Sequence, residues 1–313
     1  MFVAPPTIQA EIFTRLPEHL RIKGVHTDWS RLRGDPPMHS FLEGPSFDRA
    51  GNLYCTDLNH GRIFRISPTG EWEVFADYDG GPNGLKIHRD GRIFAVCRKH
   101  GVVSFDPATG QRTTIVDREN GRPFDGLNDL CFADNGDLYF TDPGGASMRN
   151  PVGRVLRLTP SGEVTVVADG LAYPNGLVLS PDQKTLFVAI TRTLQVIRIS
   201  LLPDLEGVQH FHYGCLIQLS GGLAGPDGMA IDRDGGLAVA HAGLGAVWVF
   251  NRLGEPTHRI ASPAGIRTTN VAYGGPDGRD IYITESEDGC ILRARLPVPG
   301  RPMFSHLDEA RGA

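Results

Sequence analysis

The chain has 313 residues, 40% hydrophobic and 21% charged, with 39 Gly, 23 Pro and a formal net charge of −5. That length is enough to bury a large core as one unit, and so many Gly and Pro argue for tight turns rather than long helices. The negative balance without any basic block excludes a nucleic-acid surface, and no apolar run approaches the roughly 18 residues of a membrane span.

Taken in chain order, residues 1–6 lack the charged and then apolar pattern of a signal peptide. Residues 8–14 read as a lone strand, and 19–42 as a lid-like loop with several Gly and Pro and no hydrophobic period. Six similar segments follow, beginning at Glu43, Asn83, Asn128, Asn175, Asp227 and Asn270, with steps of 40, 45, 47, 52 and 43 residues. Each opens on a carboxylate or carboxamide, runs through a short apolar strand, usually turns at Asp and Gly, and continues as a second apolar strand. That period matches one four-stranded propeller blade.

Third strands are predicted at 61–66, 101–105, 153–158, 194–199, 245–250 and 290–295, with more polar fourth strands starting at Glu71, Thr113, Glu163 and Thr257. The last repeat has no fourth strand of its own, so residues 8–14 are expected to supply it and close the ring. The reading is all-β: one six-bladed β-propeller domain over 1–313, with a frayed tail at 301–313. The five cysteines, Cys55, Cys97, Cys131, Cys215 and Cys290, are odd in number and form no CxxC. They read as reduced thiols of a cytoplasmic protein.

The innermost strand of a blade lines the central channel, so the six leading residues should stand at one height around the axis. Two carboxylates and four carboxamides from different blades would then converge, an oxygen-rich shell suited to a hard cation such as Ca2+. Asn-Gly and Asp-Gly pairs also serve as plain turn residues. A turn explains any single repeat, but Glu43 is a poor turn residue and takes the equivalent place.

The same topology gathers two sets of loops on the face above this ring. They carry His39, Phe41, Asp57, His60, Arg98, His100, Phe124, Asp142, Arg149, Tyr173, Arg192 and His241. From these, His39, Phe41, His100, Phe124, Asp142, Arg149, Tyr173 and His241 are expected to bind substrate.

Glu43-Gly44-Pro45, Asn128-Asp129, Pro174-Asn175-Gly176-Leu177, Pro226-Asp227-Gly228-Met229-Ala230 and the 269–275 segment occur in one order along the chain. In these motifs the chain resembles the senescence marker protein/gluconolactonase/luciferin-regenerating enzyme-like family over about residues 40–295. The resemblance implies a calcium-dependent propeller lactonase, with Zn2+, Mn2+ or Fe2+ as other divalent ions. It trims the metal ligands to Glu43, Asn128, Asn175 and Asp227, and in some members it extends to phosphotriester hydrolysis. Members that act on sugar lactones often carry an Arg two residues before the Asn of Asn-Asp. Here that place is Gly126, which leaves a less polar lactone as plausible as a sugar lactone.

The expected reaction is the opening of a small lactone or ester by water, with the metal polarising the carbonyl. Asp227 is the first choice for base and Glu43 the second; His100 and His241 are weaker candidates. No Gly-x-Ser-x-Gly supports a serine hydrolase. A non-catalytic or calcium-binding scaffold is the competing class. No nucleic acid or membrane partner is expected, and the assembly is expected to be a monomer or a small homo-oligomer.

Overall fold

The computed structural model describes residues 4–201 and 213–307. Six four-stranded antiparallel sheets are set in a ring, which makes the chain a six-bladed β-propeller. The innermost strands are Leu42–Phe47, Pro82–Ile87, Leu130–Phe132, Pro174–Leu179, Gly225–Ile231 and Thr268–Gly274. Neighbouring sheets pack through apolar faces. Between the first two blades, Ile63, Leu85, Ile93, Ala95, Val103 and Phe105 are each no more than 1% exposed. Each large side chain buried this way contributes about 1.5–3 kcal/mol.

The N-terminus closes the ring across two blades. Glu11–Arg15 pairs antiparallel with Cys290–Arg295 as the fourth strand of the last blade. Thr7–Gln9 lies parallel to Pro256–Ala261 of the fifth. Closure removes the exposed edge that an open ring would present. Third strands fall where the repeat places them, while the outer strand of the fourth blade, Tyr213–Gln218, is an element the repeat did not mark.

The 19–42 segment is not featureless. Thr27 and Ser30 form a capping box that starts the helix Asp28–Arg33, and Gly34, at φ +70°, ends it. Six residues are too few to show a hydrophobic period. The helix seats Trp29 against Phe41, 4.7 Å between ring centroids. Thr27 Oγ1 also donates to Asn59 Oδ1 at 2.5 Å.

The tail also differs from expectation. Residues 301–307 cross the lower mouth of the channel instead of fraying, while 308–313 lie outside the described residues. Arg301 N donates to Ile231 O (3.0 Å), Ser305 Oγ donates to Phe47 O (3.0 Å), and Phe304 stacks on Phe132 with centroids 4.7 Å apart. Four cysteines are buried and Cys215 is exposed, all with free thiols. No described helix is long and apolar enough to cross a membrane.

Candidate active site and metal centre

Five of the six leading residues sit inside strands, not in turns; Asn128 lies two residues before the strand Leu130–Phe132. In five blades the strand register slips at this point: between Glu43 and Ser46, Pro82 and Leu85, Pro174 and Leu177, Pro226 and Met229, and Thr268 and Asn270. A bulge re-aims a side chain out of the normal alternation, and here it does so at the axis. The glycines after Asn83, Asn175 and Asp227 have no positive φ. They are there for room. A Cβ on Gly84 would overlap Asp129, one on Gly176 would overlap the Asp227 and Gly228 backbone, and one on Gly228 would overlap the Asn270 carboxamide. Gly228→Ala should therefore push Asn270 off the axis. The expected outcome is a fall of several degrees in Tm and weaker cation binding, read by thermal unfolding with and without added Ca2+.

The third blade departs from this pattern in an informative way. Where four other repeats place Gly and the sixth places Val271, it places Asp129, 2% exposed, with its carboxylate bonded to Asn270 across the ring. Asn270 Nδ2 donates to both Asp129 Oδ2 and Glu43 Oε2, each at 3.2 Å, and so links three blades. Glu43 Oε2 also accepts Gly44 N–H at 3.2 Å. Asn175 Nδ2 donates to Thr191 Oγ1 at 3.1 Å, and its carboxamide lies beside Asp227. Asn128 is buried, and its backbone O accepts Gly84 N–H at 2.7 Å. Glu43, Asn175 and Asp227 thus come from three blades to the same end of the channel, and Asn128 enters a fourth blade next to Asp129.

Burial and mutual repulsion dominate the electrostatics of this cluster. Burial, then the charges of Asp227 and Asp129, drives the Glu43 carboxyl well above its usual range. Burial, then Asp129, pushes Asp227 up to about 8. Burial also raises Asp129, although Lys86 stands 4.0 Å away. Three acids held this close in a dry site need positive charge.

The donor set fits a hard cation. Asn83 Oδ1 is buried without a hydrogen-bond partner, an acceptor left over at the axis. Among the described residues no three His, Cys, Asp or Glu side chains make a metal group by themselves, so carboxamide oxygens must complete the shell. Glu43, Asn128, Asn175 and Asp227 are the residues that could hold such an ion, with Asp129 behind them.

The loop residues divide into two groups. Asp142 is not free for substrate. Its Oδ2 is paired with Arg154 at 2.6 Å and its Oδ1 accepts Asp125 N–H at 3.0 Å. Asp57 repeats the arrangement with Arg62 (2.6 Å) and Phe41 N–H (2.8 Å). These acids fix the chain entering the inner strand of their own blade. His241 is fully buried: Trp248 Nε1 donates to its Nδ1 at 3.3 Å, so Nε2 carries the proton toward Gly221 O at 3.1 Å. Burial lowers its pKa, which keeps it neutral.

His39 is occupied in the same manner, between Arg21 and Ser40, both at 2.8 Å. Phe41 belongs to the small cluster under the lid helix, and Phe124 packs on Phe140 with centroids 5.4 Å apart. His100 Nε2 donates to Asp79 O at 2.9 Å, and His60 contacts Met38 O at 2.9 Å. Arg149 is exposed on its loop.

Tyr173 stands apart. Its φ is +70°, uncommon for a bulky residue, and Arg192 lies over its ring at 5.0 Å. Arg98 is within electrostatic reach of Tyr173, Arg33 and Asp125, and Arg33 on the lid helix reaches Asp227. Tyr173, Arg192 and Arg98 therefore come near one another on the loop face. Sequence reasoning missed Arg33 and Asp129. For Asp129 a signal existed: an acid where four of the other five repeats have Gly.

Comparison with known proteins agrees with the fold. Residues 41–287 match the family model described as the SMP-30/Gluconolactonase/LRE-like region. The chain is 34% identical over 230 residues to lactonase drp35 of Staphylococcus aureus, covering 71% of this chain and 70% of that protein. Among solved structures, it resembles a gluconolactonase from Xanthomonas campestris (25% identity, TM-score 0.70) over 96% of this chain and 99% of that one. It also resembles a calcium-binding protein, regucalcin, from Agrobacterium tumefaciens (21% identity, TM-score 0.76) over the same shares, a likeness of fold.

Proposed function

The chain belongs to the SMP-30/gluconolactonase/LRE-like family, and from that premise we propose that it is a divalent-cation-dependent hydrolase that opens a small lactone at the axial acids. One observation carries the reading: Glu43, Asp129 and Asp227, from three different blades, share one buried patch with carboxamides around them. A non-catalytic scaffold has no need of such a costly cluster.

Glu43, Asn128, Asn175 and Asp227 hold the ion, and Ca2+ is the first candidate for so oxygen-rich a shell. When bound, a divalent cation supplies Lewis acidity toward the ester carbonyl and offsets negative charge that develops on its oxygen. The remaining work falls to the chain. Asp227 is the most exposed residue of the three axial acids, half-buried where Glu43 and Asp129 are 4% and 2% exposed. It orients a water against the carbonyl carbon and takes its proton as the carbon–oxygen bond forms. The ring carbon–oxygen bond then breaks, and the proton passes to the leaving oxygen, giving the hydroxy acid. Glu43 is fixed by Gly44 N–H and Asn270, and acts as ligand more than base.

Tyr173 and Arg192 form the wall against which the substrate rests. With Gly126 presenting no side chain, the favoured substrate has an aromatic or apolar portion beside the lactone ring. The test is a lactone panel assayed before and after stripping ions with EDTA, then after adding back Ca2+, Mn2+ or Zn2+. Activity should vanish and return. Hydrolysis that persists at full strength in ion-free protein would contradict the reading. An ion-dependent Tm with no lactone or ester turned over would favour the scaffold.

A further inference from the structure

We infer that Lys86, reaching Asp129 from beneath the axial ring, sets the charge of the ion that the ring accepts. This rests on the cation site proposed above. Lys86 lies on the inner strand Pro82–Ile87, and its Nζ is 4.0 Å from Asp129 Oδ1 and 3.1 Å from Leu85 O. Its side chain lines a cavity of about 100 Å3 in the lower channel, among Cys131, Phe132, Met229 and Met303. The segment carrying Phe304 crosses that end of the channel. The surroundings are apolar, so charges here are poorly screened.

Charge can be counted in this enclosure. Glu43, Asp129 and Asp227 carry three negative charges when ionised. Lys86 is the base 4.0 Å from Asp129; Arg301 lines the same cavity, but its guanidinium pairs with Asp134 at 2.6 Å, so it adds little. Arg33 reaches Asp227 from above, but its own guanidinium pairs with Asp35 at 2.8 Å, so it adds little. One ammonium and one divalent ion leave the enclosure neutral. A trivalent ion beside Lys86 leaves it one charge in excess. Without Lys86 the order reverses: a divalent ion leaves a negative charge unmet and a trivalent ion meets it.

The experiment is competition calorimetry with Ca2+ and Tb3+ on the full chain and its variants. Lys86→Met should raise the Tb3+-to-Ca2+ affinity ratio about ten- to a hundredfold. Lys86→Arg should leave the ratio unchanged. Lys86→Met combined with Asp129→Asn, which removes one positive and one negative charge, should return it to the wild-type value. If Lys86→Met does not fold, Lys86→Gln makes the same comparison with a polar side chain. An unchanged ratio in the neutral variant, with both ions still binding wild type, overturns the role of Lys86 and leaves the ring standing. A wild-type protein that binds neither ion overturns the ring, and the inference with it.

Discussion

Asp227→Asn is expected to lower kcat/KM for lactone opening about a thousandfold, mostly in kcat. The amide keeps the size of the side chain and one oxygen for the ring, but it cannot take a proton from water at neutral pH. Saturating cation should not rescue the variant. Glu43→Gln gives the contrast. There the loss should lie mainly in cation affinity, so that activity recovers as Ca2+ is raised. Steady-state kinetics across a cation titration separates the two. Equal recovery of both variants at high cation would remove Asp227 from the role of base.

Asp142→Ala is expected to destabilise the fold by about 1.5–3 kcal/mol, because buried Arg154 loses the nearer of its two carboxylates and keeps only Glu119 at 3.3 Å. Arg154 and Asp142 expose 10% and 2% of their side chains, and the pair is 2.6 Å apart. Asp142 also accepts Asp125 N–H, so the loop before Asn128 loses its anchor. The triple variant Asp142→Leu/Arg154→Met/Glu119→Gln removes every charge of the cluster and should regain much of the loss, as measured by urea unfolding. A substrate-binding Asp142 would behave in the opposite way, with KM rising and stability little changed.

This contrast shows what the sequence could and could not reveal. The six blades were legible because six segments recur with one pattern, each opening on an oxygen-bearing side chain. Ring closure was legible because the last repeat lacks an outer strand. Loop roles were not legible, because the same topology brings corner-holding acids and pocket residues to one face. Asp57 and Asp142 each follow a Thr at the end of a second strand. That Thr ties neighbouring blades: Thr56 Oγ1 donates to Asn83 O at 2.7 Å and Thr141 Oγ1 to Asn175 O at 2.9 Å. The recurring Thr-Asp pair was therefore a structural repeat, and a polar residue that recurs at a corner is weak evidence of a ligand contact. His241 shows the same limit, since its burial depends on Trp248 and Gly221, which no local pattern connects to it.

Asp129 is the opposite case. Its burial, its bond to Asn270 and its distance from Lys86 are tertiary facts, yet its place was marked by breaking the Gly rule of four other blades. The rule itself has a packing cause. Gly84, Gly176 and Gly228 let adjacent blades touch at the narrow end of their wedge, and only a repeat whose neighbour leaves room can put a side chain there.

The most direct check is an anomalous difference map from crystals of the full chain grown with Mn2+. The account requires one strong peak on the propeller axis, enclosed by Glu43, Asn128, Asn175 and Asp227. A map without a peak there at millimolar Mn2+, or with these four side chains turned away from one another, would contradict it.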